Sequence, residues 1–293
     1  MRHWLGYLVL RLATGLLAAL PEPAMRTLGR WGGLVWSFLA PGRRAMAHRH
    51  MLRVGAPDPR AATRQLFAWY GRYWAETFWV RRRRFAAMWA GFECVGLEHL
   101  RSARDAGDGV VLALPHLGNW EAAALIAVHL DLPLIAVAER LPNPHVTAWF
   151  TRQRSMFGID VVLTGSGPSS RRRIAESLSE GKAVALLCDR DLTGRGVAVE
   201  FWGEETTLPA GPIALAHRAG SPVIPVGVYF QEGRGHRAVL HPPLEFDRTG
   251  PTAEVVARGT QSLARVFEVI IAEDPSQWHL VQPNWPSDRE ALL

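Results

Sequence analysis

Between residues 110 and 128 the chain reads VVLALPHLGNWEAAALIAV, and this stretch holds the residue types best suited to chemistry. His116 follows an apolar run that Pro115 breaks, and Glu121 comes after it with four residues between. An imidazole titrates near neutral pH and serves as a general base. A carboxylate brought back toward it would fix one ring N–H and leave the other nitrogen to accept a proton. The plain alternative is a satisfied, half-buried histidine and a first-turn glutamate favoured by the helix dipole. Spacing alone leaves both open.

Other schemes are excluded more firmly. There is no G-x-S-x-G elbow, and TGSGPSS at 164–170 has the wrong spacing for one. Neither G-x-x-x-x-G-K-[ST] nor G-x-G-x-x-G after a strand occurs, so nucleotide-dependent readings are weak, and H-E-x-x-H is absent. With no companion nucleophile, His116 would act on a hydroxyl of the substrate itself. That is direct group transfer onto an alcohol, without a covalent enzyme intermediate.

The elements needed to position such a base follow from the pattern around it. From about residue 93, short apolar runs alternate with helical segments. Strands are expected at 110–114, 133–138, 160–163, 183–187, 197–201, 223–229 and 237–241, and helices at 119–130, 143–156, 170–180, 209–219 and 252–272. Ser170 suits an N-cap, and Gly181 and Gly220 suit helix C-termini. The fold class is α/β, a central, mostly parallel sheet flanked by helices. His116 then stands at the carboxyl end of a buried strand, where open α/β sheets bind ligands. Gly118 permits the tight turn, and Asn119 caps the helix that begins there. Glu139–Arg140 and Asp189–Arg190–Asp191 follow two further strands in the same way, either as ion-paired turns or as substrate contacts.

Residues 1–92 are helical by pattern. Leu5, Leu8, Val9, Leu12, Leu16 and Leu20 share one face, in a segment too short and too interrupted by Arg11 to span a bilayer comfortably. Arg11 in mid-run and the LPEPAM sequence also argue against a cleaved leader. Further on, Phe67, Tyr70, Trp74 and Phe78 fall at helical intervals, beside Trp69, Tyr73 and Trp79 and ahead of the run Arg81 to Arg84. These helices either cover a core or lie in the plane of an anionic membrane, aromatic groups inserted and guanidiniums on lipid phosphates. With no Pro/Gly/Ser linker near residue 93, a single 1–293 domain is expected, its 1–92 part membrane-associating and its 93–293 part an α/β catalytic core.

Composition agrees. The net charge is +6, with Lys182 the only lysine, so arginine carries nearly all the positive charge. Twelve tryptophans beside it favour a membrane interface over nucleic acid, for which no binding motif appears. Two cysteines, Cys94 and Cys188, give neither a disulfide framework nor a metal array, and a reducing compartment is expected.

The segment HLGNWE resembles the H-x4-D/E motif of the glycerolipid acyltransferases. Its Gly-Asn-Trp-Glu ending is similar to the branch that holds lipid A late acyltransferases and phosphatidylinositol mannoside acyltransferases. The likeness continues in order through AERLPNPHVTAWFTRQRSMFGIDVV, LLCDRDLTGRGVAVEFWGEETTLPAGPIALAHRAGSPVIPV and QWHLVQPNW, covering about residues 66–285. Where that branch has two phenylalanines this chain has Phe201–Trp202, and a PEGTR-like block is absent, which counts against glycerol-3-phosphate as acceptor.

The resemblance implies a mechanism. His116 takes the proton of an acceptor hydroxyl, Glu121 orients His116, and the alkoxide attacks the thioester of palmitoyl-CoA or a similar acyl-CoA. Backbone N–H groups around Gly118 and Asn119 would hold the oxyanion. Arg154 would bind the acceptor phosphate, and Glu139, Arg140, Asp189, Arg190 and Asp191 would contact substrate. No metal or cofactor is implied. The acceptor would be a phosphatidylinositol mannoside at the cytoplasmic face of the inner membrane. Competing readings are a lipid A-type or lysophospholipid acceptor, or a non-catalytic basic membrane-binding module.

Overall fold

A computed structural model describes residues 2–107, 109–163, 168–191, 194–233 and 235–290. The chain opens with helices α1 (Arg2–Ala19), α2 (Glu22–Leu39), α3 (Pro41–Arg53) and α4 (Pro59–Trp79). Each of α2, α3 and α4 has proline in its first turn, where a missing N–H costs nothing. Asp58 caps α4 by accepting the N–H groups of Arg60 and Ala61. Then follow α5 (Phe85–Trp89), β1 (Phe92–Val95), α6 (Leu97–Asp105), β2 (Val110–Leu114), α7 (Ala124–Leu130), β3 (Leu134–Ala138), α8 (Pro144–Ser155), β4 (Asp160–Leu163) and α9 (Pro168–Ser179). The remainder comprises β5 (Ala183–Leu187), β6 (Val197–Phe201), β7 (Glu204–Leu208), α10 (Gly211–Ala219), β8 (Val223–Phe230), β9 (His236–Leu240), α11 (Thr252–Glu273) and α12 (Pro286–Glu290).

Seven strands form one sheet in the order β1-β9-β8-β2-β5-β3-β4. Neighbours are parallel except β8 and β9, so the sheet is mostly parallel, as expected. Strand β2 lies at its centre, between β8 and β5, and its side chains are almost all buried. The 197–201 strand is real but stands apart, paired antiparallel with β7 in a separate hairpin.

Two local expectations change. The helix expected from residue 119 begins at Ala124, after a run of turns. Ser170 lies inside α9, which has already begun at Pro168. The TGSGPSS segment falls partly outside the described residues, at 164–167. Gly181 and Gly220, at φ +75° and +72°, do end their helices.

The N-terminal helices separate the two roles that the aromatic and arginine pattern left open. Helix α4 is a core helix: Phe67, Trp69, Tyr73 and Trp79 are all buried. It crosses α2 at contact distance through glycines, where a Cβ on Gly33 would stand 1.9 Å from the Phe67 carbonyl oxygen. Arg81 and Arg84 turn inward, donating to the carbonyls of Thr14 and Ala18 near the end of α1, as well as to Phe78, Val80 and Trp79. Half of that run therefore caps α1 instead of facing a membrane; Arg82 and Arg83 remain exposed. Most of the large apolar side chains left in solvent belong to α1 and α2: Leu5, Leu8, Val9, Leu12 and Leu16 on one, Leu28, Trp31, Val35, Phe38 and Leu39 on the other. Among the described residues no helix is long and apolar enough to cross a membrane.

Candidate active site

Strands β2 and β5 pair in register with Leu114 opposite Leu187. Two residues further along each strand, His116 and Asp189 therefore stand level at the carboxyl rim of the sheet. The His116 Nδ1 lies 2.5 Å from Oδ1 of Asp189. The other carboxylate oxygen accepts from the His116 backbone N–H at 3.0 Å and from the Trp278 indole N–H at 2.7 Å. Burial by itself would raise the Asp189 carboxyl, but the facing imidazole and these three donors overrule it and hold it down to about 2. Asp189 is fully buried and ionised, so Nδ1 keeps its proton and Nε2 is the nitrogen left to act as a base.

Glu121 does not fill the place expected of it. Its two oxygens take the Arg154 guanidinium as a fork, at 2.5 Å to Nη2 and 3.2 Å to Nε. The polypeptide between His116 and Glu121 explains this. Gly118 sits at φ +56°, and a Cβ there would strike the Val228 carbonyl oxygen at 2.1 Å, so the turn is tight and obligatory for glycine. The chain then turns through Asn119–Ala123 and carries Glu121 toward α8 instead of back to the imidazole. Asp189, in contrast, cannot touch a sugar hydroxyl, because it is sealed behind the ring.

The turn residues are also committed. The Gly118 N–H donates to the Gln277 carbonyl at 2.9 Å. The Asn119 side chain accepts from the Ala122 N–H and donates to Oε2 of Glu76 at 2.7 Å. Neither that N–H nor that side chain is left for an oxyanion. Glu76, buried on α4, also receives Arg72, Arg26 and His236. Burial would raise this carboxyl; the charged partners around it keep it well below the ordinary range. It ties the helical layer, the motif turn and β9 at one point.

The segment 277–285 straps the rim from behind. The His279 N–H donates to the His116 carbonyl at 2.8 Å, and its Nε2–H to the Gly118 carbonyl at 3.1 Å. Asn284 donates to the Asp189 carbonyl. Trp278, Gln277 and His279 were not legible as site residues; only the position of QWHLVQPNW among the ordered blocks marked them. Burial depresses the His279 imidazole to about 3, so it stays neutral.

His116 opens on a cleft of about 380 Å³, whose polar lining includes Glu139, Arg154, Arg190 and Asp191. Glu139 is exposed on its rim, and Arg140 is exposed beside it. Arg190 lines the cleft and is held by Gln282. Asp191 braces the β6–β7 hairpin, accepting from the Gly196 N–H at 2.6 Å and the Thr207 hydroxyl at 3.0 Å. A second cavity, of about 100 Å³, lies deeper among Leu112, Leu114, Ala124, Ile126 and Leu134. Trp120, Val137, Arg154, Leu186 and Leu187 line both, so the Arg154–Glu121 pair marks the passage between a polar cleft and an apolar interior. Trp202, the aromatic exchange, lines neither cavity.

Residues 1–287 match the family described as bacterial lipid A biosynthesis acyltransferase. The chain belongs to that family. It is 38% identical over 245 residues to a phosphatidylinositol mannoside acyltransferase of Mycolicibacterium smegmatis, covering 82% of this chain and 79% of the relative. A protein of the same name from Mycobacterium tuberculosis is 35% identical over 277 residues, 92% of this chain and 85% of the relative. A lipid A biosynthesis acyltransferase of Haemophilus influenzae is 26% identical over 155 residues, 52% of this chain and 48% of the relative. The site thus belongs to a member of an acyltransferase family, and it brings together an imidazole, a buried carboxylate and a neighbouring apolar cavity.

Proposed function

We propose that this protein transfers a long fatty acyl group, palmitoyl or similar, from acyl-CoA to a mannose hydroxyl of a phosphatidylinositol mannoside, working as a peripheral protein at the cytoplasmic face of the inner membrane. His116 Nε2 removes the hydroxyl proton as the oxygen attacks the thioester carbonyl. The tetrahedral intermediate collapses with loss of the CoA thiolate, which takes the proton back from the imidazolium. Asp189 orients the ring and stabilises its charged form, in the place first given to Glu121. Arg190, on the cleft wall beside it, supplies positive charge to the developing oxyanion, and Arg154 meets a substrate phosphate. The acyl chain lies along the apolar walls of the cleft, and the cavity beyond Arg154 has room for only a small part of it.

The observation that carries this reading is the imidazole clamped by a buried carboxylate on one side and open to a cleft on the other. The names of the mycobacterial relatives support the mannoside acceptor, and the exposed apolar surface of α1 and α2 supports the membrane. His116→Ala should fold normally, still bind vesicles, and lose transfer of radiolabelled palmitate from palmitoyl-CoA to phosphatidylinositol mannosides by on the order of 10²–10⁴-fold. Equal activity in that variant would refute the enzyme mechanism. Activity confined to lipid A precursors or lysophospholipids would keep the chemistry and replace the acceptor.

A further inference from the structure

A ridge of apolar side chains on α2, with Phe38 71% and Trp31 63% exposed, is flanked by two open clefts that the reaction does not use. The first, of about 440 Å³, is lined by Ser37, Phe38, Arg44, His48, Arg60 and Thr63, between the α2–α3 corner and the start of α4. The second, of about 370 Å³, is lined by Arg30, Trp31, Arg64 and Gln65. Neither shares a lining residue with the His116 cleft, and no carboxylate lines either one. The nearest in sequence, Asp58, is occupied by the amides of Arg60 and Ala61.

Each cleft thus joins two arginines to one exposed aromatic of the α2 ridge. The Arg44 guanidinium lies 5.3 Å from the centre of the Phe38 ring, and that of Arg30 lies 4.7 Å from the Trp69 ring. Flat cations held against aromatic faces keep their edges available for phosphate oxygens. Apolar side chains beside them suit hydrocarbon. A soluble phosphate would have no use for the ridge, whereas a bilayer uses both features at one depth.

We propose that these clefts bind the phosphates of anionic phospholipid headgroups, seating the α2 ridge in the bilayer at a site separate from the reaction cleft. The proposal rests on the membrane reading given above. It moves the electrostatic contact from Arg81–Arg84, half of which caps α1, to Arg30, Arg44, Arg60 and Arg64.

The test is vesicle sedimentation of the full chain on phosphatidylcholine with and without phosphatidylinositol. Removing three cations as Arg44→Gln/Arg60→Gln/Arg64→Gln should weaken binding to phosphatidylinositol vesicles by on the order of 100-fold, and the loss should shrink in high salt. A charge-matched variant, Arg101→Gln/Arg218→Gln/Arg289→Gln, should change it by less than about threefold. Acyl transfer to a detergent-dispersed acceptor should be unaltered in both. Equal binding by wild type and the first variant, or equal losses in both variants, overturns the site while leaving the membrane reading intact. Failure of the wild type to bind any vesicle overturns both.

Discussion

Two carboxylates are candidates to steer His116, one bonded to its ring and one turned away to Arg154, and they live in opposite surroundings. Asp189, at the end of β5, is buried, receives three donors and has its carboxyl held down to about 2. Glu121, in the turn after β2, is partly exposed and answers to a single arginine at the junction of two cavities. The first region is over-determined: moving the carboxylate would break bonds to the imidazole, to the His116 backbone and to Trp278 together. The second is a lone ion pair between the turn after β2 and helix α8. In the proposed mechanism the rim of β2 and β5 therefore sets the geometry of proton transfer, while the Glu121–Arg154 pair meets the entering substrate.

The sharpest way to break this division is Asp189→Asn. The His116 and Trp278 N–H groups both donate to Oδ2, so the new amide must keep its oxygen there and turn its NH₂ toward Nδ1. The ring would then carry its proton on Nε2 and could not accept one. We expect kcat to fall on the order of 10³-fold with KM little changed, measured by single-turnover acyl transfer. A loss under tenfold would return the orienting role to Glu121.

Glu121→Gln should act on the other half. The neutral amide releases Arg154 from its fork, so KM for the phosphorylated substrate should change about tenfold while the pH profile of kcat stays in place. A shifted profile would show that Glu121 speaks to His116 after all.

The smallest effect is on stability and lies behind the rim. His279 is buried neutral, whereas the unfolded chain takes up a proton below about pH 6.5. Unfolding therefore binds a proton, and stability falls as pH drops from about 6.5 toward the folded value near 3, by up to about 1.4 kcal/mol per pH unit. His279→Gln can still donate to the Gly118 carbonyl and should remove that slope. Urea melts at pH 7 and pH 5 would measure it, and identical slopes in both proteins would contradict the burial argument.

The same contrast explains what was legible in the sequence. The central strands at 110–114 and 183–187 stand where the apolar runs put them, because a strand covered on both faces announces itself in consecutive residues, and the edge strand at 160–163 also stands where expected. Strand β1 and helix α6 were missed: β1 alternates half-buried and exposed positions, and α6 is short and mostly polar. His116 and its place on the rim were readable from local pattern. Its true partner was not, since Asp189 lies 73 residues away and meets it only through the β2–β5 register. Local spacing pointed to the nearer acid instead. The arginine run failed for a related reason, because nothing in four consecutive charges says that the first and last will turn inward.

The strap at 277–285 has a consequence for how the molecule comes to life. Its residues leave the ribosome long after His116 and Asp189, yet they supply the indole and backbone contacts that lock those two in place. A growing chain therefore carries its base and its acid as a loose couple until the strap has been made and has closed on the rim.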